Sequence, residues 1–507
     1  YIRDEKHFQA TVRYILQNPV KANLVKVPEE WPWCGYAGRA DTSVTGGEQD
    51  AQASGGGGGG GRDVRDPSNP SNSRIAARIA FLKAHPTLVL DTRHFSPDFT
   101  DRLVATFENL DEMTDGLLVH SENWQALNLL LEKYRERVST VYIDPPYNTG
   151  NDEFLFRDNY QHSCWLSMIK ERLQISYALI RDDGLYWVNI DDNEQAHLLI
   201  LMNSLFSAEN FLANIAWQKR FTRNNNAKLF STVKDYLLCY RRSDDLAVLR
   251  EPRTEGSDAI YSNPDNDPRG PWTSVSYVNP ATREQRPNLV YKIKNPYTGE
   301  LIEHPTNAWK YSYEEHLRHV EENRLYWGLH GENTYPRLKR FLSEVGGLVP
   351  VDIWEYKETG TTDEASIALQ HVFGRKVFDN PKPTRLIERI GRLMPNELPS
   401  FGSIVLDYFA GSGTTGHAVI NLNREDGGRR RFILVEMGAY FDTVLLPRIK
   451  KVTFTAEWKD GKPKRMATQE EFERGPRIVK VIRLESYEDA LNNITFDEES
   501  GQKALDL

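Results

Sequence analysis

The sequence predicts an α/β chain organised around a doubly wound sheet, and three observations carry that prediction. The apolar run Val141-Tyr142-Ile143 stops at Asp144-Pro145-Pro146-Tyr147, as a buried strand does on reaching a sheet edge. A second run, Ile404-Val405-Leu406, leads into Asp407-Tyr408-Phe409-Ala410-Gly411-Ser412-Gly413-Thr414-Thr415-Gly416 and an apolar helix through Val419 and Ile420. Strand, glycine loop and helix is the layout of a nucleotide-cofactor site, where glycines admit the ligand and the helix N-terminus offers free N–H groups. Around both runs, strand-like and helix-like stretches alternate, which builds a sheet with helices on its faces.

Along the chain the elements are uneven. Tyr1-Ile2-Arg3-Asp4-Glu5-Lys6-His7 and Tyr14-Ile15-Leu16-Gln17-Asn18-Pro19-Val20-Lys21-Ala22 resemble the C-terminal end of tyrosine transposases associated with repetitive palindromes. That family's paired-histidine metal site and nucleophilic tyrosine would lie upstream, so residues 1–40 are read as a fused remnant unable to cut DNA. The missing initial methionine suggests a fragment of a longer product. Residues 41–73 hold seven consecutive glycines and Asp66-Pro67-Ser68-Asn69-Pro70; they cannot bury enough to fold, and the remnant is expected to move independently.

Residues 74–245 hold the first half of the sheet. A strand is expected at Gly116-Leu117-Leu118-Val119-His120 with a helix after it. Beyond the Pro-Pro turn, Trp165, Ile169, Leu173, Tyr177 and Ile180 recur at helical spacing, with Asp183-Gly184 closing the helix and a buried strand over 185–190. Asp191 and Asp192, conceivable as a metal pair, are read as a loop or helix cap. From 246 to 350 the pattern breaks into Pro, Asn, Gly and aromatics, including Trp272, Tyr277, Tyr291, Trp309, Tyr311, Trp327 and Tyr335, most of which should be core. Regular structure resumes over 351–450, with a strand at Phe432-Ile433-Leu434-Val435. An extension over 451–507 contains the alternating strand Arg477-Ile478-Val479-Lys480-Val481-Ile482 and an acidic end.

The residue types at the two loops suit one reaction, methyl transfer to an exocyclic amine of a nucleobase. That nitrogen is a poor nucleophile because its lone pair is conjugated into the ring. A carboxylate and a backbone carbonyl accepting its two N–H groups favour the reactive geometry, and Asp144 and the Pro145 carbonyl are candidates. Pro145 and Pro146 stiffen the turn and donate nothing. Tyr147 offers a face on which an extruded base can stack. At the second loop, Glu436 follows the next strand and can take both hydroxyls of a ribose. The segment also fits the dinucleotide pattern G-x-G-x-x-G. Asp407 and an aromatic pair precede the first glycine, however, and a hydride enzyme has no use for the Asp-Pro-Pro-Tyr turn, so S-adenosylmethionine is the favoured cofactor.

Three stretches, 141–152 (VYIDPPYNTGND), 379–390 (DNPKPTRLIERI) and 405–418 (VLDYFAGSGTTGHA), resemble the β-class amino-methyltransferases of DNA, most closely the modification subunits of type III restriction-modification systems. The resemblance covers roughly residues 115–490 and implies a circularly permuted, Rossmann-like methyltransferase sheet with an inserted target-recognition domain. It implies a catalytic turn at Asp144, Pro145, Pro146 and Tyr147, and donor binding by Asp407, Phe409, Gly411, Gly413, Thr414 and Glu436. Pro381-Lys382-Pro383 resembles the motif that closes the pocket around the methionine part of the donor, which makes Lys382 and Pro383 cofactor residues. Asp rather than Ser before Pro-Pro-Tyr points to N6 of adenine over N4 of cytosine. The family further implies a restriction-helicase partner and homodimerisation. No Walker motif appears, so ATP use is not expected.

Composition sets outer limits. At 507 residues and 39% hydrophobic content, two or three domains are expected. Cys34, Cys164 and Cys239 lack pairwise spacing, against a disulfide framework or zinc ribbon. None follows a proline, against cytosine carbon-5 methylation, which needs a thiolate. No apolar run approaches a membrane span and no secretory leader is evident, so a cytoplasmic protein is expected. Net charge is −9, yet Lys219, Arg220, Arg223, Lys228, Lys234, Arg241 and Arg242 face a single acid, Asp235, between 217 and 242. Local field matters more than net charge for phosphate contact, so Lys219, Arg220, Arg223 and Lys228, flanking Asn224-Asn225-Asn226, are candidate DNA-binding residues. Arg283 and Arg286, with Lys292, Lys294 and Lys310, are candidates in the insert. The expected activity is site-specific adenine methylation of double-stranded DNA in a restriction-modification or related defence system, without a metal. The rivals are methylation of cytosine N4, RNA or a protein amide, and a catalytically idle recognition subunit.

Overall fold

The computed structural model describes residues 88–150, 160–223, 227–394 and 402–485, Ala80, and the backbone of Thr11–Gln17. The glycine-rich stretch at 41–73, the asparagines at 224–226, most of 1–40 and everything beyond 485 lie outside the described residues. Two compact units emerge, one from 1–247 with 351–507 and one from 248–350.

In the first unit, eleven strands of the described residues form one mixed sheet. They are β1 (Thr11–Gln17), β2 (Val89–Asp91), β3 (Thr114–His120), β4 (Val138–Ile143), β5 (Ile180–Ile190), β6 (Phe211–Gln218), β7 (Lys234–Arg241), β8 (Ile353–Trp354), β9 (Ile404–Asp407), β10 (Arg431–Glu436) and β11 (Ile478–Arg483), in the order β8-β6-β7-β5-β4-β9-β10-β3-β11-β1-β2. The centre is parallel, and β7 runs against both β5 and β6. All six positions of β4 and all four of β9 are buried, as expected of strands covered on both faces.

The helices lie on both faces. Against one pack α1 (Asn123–Tyr134), α2 (His162–Tyr177) and α3 (Gln195–Phe206), whose Leu127, Trp165, Ile169, Leu173, Leu198 and Met202 share a core with Val141, Ile143 and Val188. After α4 (Thr362–Phe373) and α5 (Thr384–Arg392), the helices α6 (Thr414–Asp426) and α7 (Leu446–Phe454) cover the other face, where Val419, Ile420, Ile449 and Val452 meet Val405, Phe432 and Leu434. β9 thus contributes to both cores, Leu406 to one and Val405 to the other, and the doubly wound expectation holds. A crevice outside the carboxyl ends of such adjacent strands is where this architecture places its ligands.

Three sequence readings are corrected. The helix expected to run to Asp183-Gly184 ends at Tyr177, and Ile180 already pairs with Val138. A register shift between Val138 and Thr140 absorbs the extra residues of β5, so that apolar spacing at Ile180 served a strand. Part of the segment expected to move apart is in the sheet: β1 pairs antiparallel with β11 over six residues and with β2 over three. The strand read as part of an extension, β11, lies parallel to β3 inside that sheet, and Arg477 anchors it through Nη2 on Asp115 Oδ1 at 2.9 Å.

The second unit carries a three-stranded sheet of Leu325–Tyr326, Arg337–Phe341 and Trp272–Ser276. Its core is aromatic, with Tyr277, Trp309 and Trp327 buried around Ile293. Among the described residues, no helix is long and apolar enough to cross a membrane.

Candidate active site

Strand register brings the two sequence motifs together. Val405 lies opposite Thr140 and Leu406 opposite Val141 in the parallel β9–β4 pair. Asp144 and Asp407 therefore emerge on the same sheet edge, despite their separation in sequence.

Asp144 is engaged at both oxygens. Its Oδ2 accepts from Lys382 Nζ at 2.5 Å and its Oδ1 from Asn189 Nδ2 at 3.3 Å. Asn189, at the end of β5, also reaches the hydroxyl of Tyr147, which donates to Asp235 Oδ2 at 3.2 Å. Asp235 is buried, and Lys219 Nζ compensates it at 2.5 Å from Oδ1. Burial pushes the Tyr147 hydroxyl well up, and the charges of Asp144 and Asp235 push the same way, so it stays a neutral donor. Trp165, fully buried on α2, donates its indole N–H to the Pro146 carbonyl at 2.8 Å. The turn is thus held from below by a core residue and from the side by alternating charge.

This arrangement alters two of the sequence assignments. Lys219, expected among the phosphate contacts, is paired with Asp235 beside the Asp-Pro-Pro-Tyr turn. Lys382, expected on the donor, sends its ammonium to Asp144 and sits 5.1 Å from the centre of the Tyr147 ring. Only its backbone carbonyl faces the donor loop, where it accepts from Thr414 Oγ1 at 3.2 Å. Asn189 and the structural role of Asp235 escaped the sequence reading. Their one signal is a polar residue at the end, or start, of a strand that is otherwise apolar.

In the donor loop Gly411 and Gly413 take φ of 52° and 81°, backbone that other residues adopt only with strain. Glu436 is buried at the end of β10 and clamps the loop: Oε2 accepts the Gly411 N–H and Oε1 the Gly438 N–H, both at 2.8 Å. The Met437 N–H and the Tyr440 hydroxyl also bear on this carboxyl. Phe378 stands 3.4 Å from where a Gly411 Cβ would be, so a side chain there would fill the space over the loop. Phe409 is partly buried against the core and Tyr408 fully so, its hydroxyl 2.6 Å from that of Tyr186. Arg448, also buried, donates to Ser412 Oγ at 2.8 Å and Thr414 Oγ1 at 3.0 Å. A cavity of 290 Å³ lies beside this loop, bordered by Lys382, Pro383, Thr384, His417 and Arg448; it does not reach Asp144 or Tyr147.

Asp407 is the most perturbed carboxyl here. Burial pushes it up to about 7 from 3.8, against the opposing hydrogen bonds of Thr415 Oγ1 (2.5 Å) and the Phe409 N–H (3.0 Å). The folded state then holds a proton that the unfolded state releases, so this group's contribution is complete below the ordinary value and is lost as pH rises to about 7. Over that window it amounts to at most about 4 kcal/mol. Asp407→Asn, which cannot ionise, is expected to flatten the decline in urea-derived stability between pH 5 and pH 8. An unchanged slope in the variant would show that Asp407 titrates normally.

Asp191 and Asp192 each hold a neighbouring group. Asp191 caps Asn193 through its backbone N–H (2.9 Å), and Asp192 pairs with Lys234 (2.9 Å). Of the expected DNA contacts, Arg220, Arg223, Lys228 and Arg286 are exposed, whereas Arg283 is held by Glu303 at 2.9 Å.

A family model for DNA methylases acting on N6 or N4 matches residues 138–444. The chain is 30% identical over 368 residues to the Type III restriction-modification enzyme StyLTI Mod subunit of Salmonella typhimurium, covering 67% of this chain and 54% of that protein. It is 28% identical over 377 residues to the EcoPI Mod subunit of Escherichia phage P1, 64% of this chain and 57% of that one. Type II methyltransferase M.KpnI of Klebsiella pneumoniae is 29% identical over 365 residues, 66% of this chain and 85% of its own length. The chain thus spans little more than half of the two Mod subunits. With the family model matching most of the sheet and both loops, the chain belongs to the N6/N4 DNA methylase family.

Proposed function

We propose that this chain transfers a methyl group from S-adenosylmethionine to N6 of an adenine swung out of duplex DNA. The observation that carries this reading is the β4–β9 register, which sets the Asp144 carboxylate and the glycine loop on one edge with Lys382 touching both. The residues fit the donor: the positive φ of Gly411 and Gly413 shapes the loop, the buried Glu436 carboxyl at the end of β10 can exchange a present donor for ribose hydroxyls, and the neighbouring cavity can take the amino-acid end. When bound, the donor supplies an electrophilic methyl group on sulfur.

Every other part belongs to the chain. Asp144 accepts one amine N–H and the Pro145 carbonyl the other, with Lys382 yielding its place on Asp144 to the incoming amine. Tyr147 stacks on the base once the lysine has left its face. Asn189, Asp235 and Lys219 keep the aspartate and tyrosine in register. The insert 248–350 is assigned to target recognition, with exposed Arg286, Lys292, Lys294 and Lys310 available to the duplex. A place in a restriction-modification system, with a restriction-helicase subunit and a second copy of the chain as partners, follows from the relatives named as Mod subunits; co-purification and sedimentation test it.

The deciding experiment incubates the chain with labelled S-adenosylmethionine and random duplex DNA, then maps the modified base. Label on adenine N6 supports the proposal. Label on cytosine N4, RNA or protein replaces the substrate, and binding without label indicates an idle recognition subunit. Arg220→Ala, Arg223→Ala and Lys228→Ala are each expected to weaken binding to all sequences alike. Each should also reduce the slope of log affinity against log salt by about one. An unchanged slope removes that residue from the phosphate contacts.

A further inference from the structure

Beside the catalytic turn lies a cluster that methyl transfer does not use. Glu194, just ahead of α3, has a fully buried side chain. Its Oε1 accepts from Asn148 Nδ2 at 2.6 Å and lies 2.7 Å from His162 Nδ1. Its Oε2 is buried and has no hydrogen-bond partner, while His197 Nδ1 lies 3.2 Å away. A buried carboxylate oxygen without a donor is costly unless something positive completes it. The two imidazoles, on the first turns of α2 and α3, face each other with ring centres 4.6 Å apart. One ligand atom from each of the three residues lies within 4.8 Å of the others.

We propose that His162, Glu194 and His197 bind a divalent transition-metal ion, with zinc the best match. Two imidazoles and one carboxylate are the ligand set of borderline-soft ions, and alkaline-earth ions would require more oxygen. With metal–ligand distances of about 2.0–2.1 Å, tetrahedral ligands sit roughly 3.3 Å apart. His197 Nδ1 stands 3.2 Å from Glu194 Oε2, which already meets that value, while His162 Nδ1 faces the other oxygen, Oε1, at 2.7 Å and opens slightly as the ion enters between the imidazoles and the carboxylate. The half-exposed imidazoles leave the fourth position to water. Asn148, which the same carboxylate holds, directly follows Tyr147 and has a φ of 59°. The ion therefore ties the first turns of two helices to the segment leaving the catalytic turn. It is a clamp on that segment and takes no part in the reaction, so the site stands whether or not the methyl-transfer reading does.

The test strips the full chain with a chelator and titrates it with Co²⁺, then Zn²⁺. The expected result is one equivalent of Co²⁺ with the visible absorption of a tetrahedral site, displaced by Zn²⁺. A Tm rise of roughly 2–5 °C in excess zinc should accompany it. His162→Ala and His197→Ala, exposed positions whose folding is checked by circular dichroism, should each bind at least about tenfold more weakly and lose the Tm rise. Asp144→Ala should bind the ion as the parent does, which separates this site from methyl transfer. Absence of saturable binding in the parent, or equal uptake by both histidine variants, overturns the proposal.

Discussion

Asp144→Ala is expected to lower methyl transfer by about 100- to 1000-fold or more while leaving thermal stability and donor binding close to those of the parent. The carboxylate is partly exposed at the carboxyl end of β4. Its two oxygens hold Lys382, which is partly exposed and can turn toward solvent, and Asn189, which is buried and keeps the Tyr147 hydroxyl as a partner. What disappears is the acceptor for the amine proton, an interaction needed most as the nitrogen becomes pyramidal, so the loss should fall on kcat. Asp144→Asn keeps the shape, offers an N–H to Lys382 where an oxygen was, and should be nearly as impaired. Single-turnover rates with labelled donor check this; a rate within threefold of the parent would mean that another group accepts the proton.

Trp165→Ala carries the largest expected cost to stability, about 3–5 kcal/mol for removing a buried indole. The side chain is fully buried in the core that joins α2 to the β4 face of the sheet. Its N–H is also the partner of the Pro146 carbonyl, so the cavity opens directly beneath the catalytic turn. Urea unfolding should show a lower midpoint with little change in slope. Trp165→Phe separates the two roles, since it retains most of the apolar volume and drops the hydrogen bond. That variant should fold well and still lose activity through a looser turn. If Trp165→Phe matches the parent in rate, the Pro146 anchor does not matter to the chemistry.

The central strands were readable because they are buried on both faces, so β4 and β9 show short apolar runs, Val141-Tyr142-Ile143 and Ile404-Val405-Leu406, that end at the two loops. The periphery was harder. Alternation in β11 identified a strand, but which neighbours it joins depends on long-range pairing with β3 and β1. Ile180 satisfied a helical period by coincidence while starting β5. Asp144, Tyr147, Gly411, Gly413 and Glu436 were singled out through local chemistry. Asn189, Asp235 and the target of Lys382 were not, because a single polar residue on a strand or loop has no local pattern to betray its partner.

By itself, then, the sequence determined the layer architecture and the two loops at the carboxyl ends of β4 and β9, since burial periodicity and turn chemistry act over a few neighbouring residues. Tertiary structure alone decided that Lys382 meets Asp144, that Lys219 serves Asp235, and that His162, Glu194 and His197 converge. Lys382 and Asp144 lie 238 residues apart, Lys219 meets Asp235 beside the antiparallel β6–β7 pair, and His162 reaches Glu194 from a separate helix; strand register and the packing of helices on the sheet convert those separations into a few ångströms.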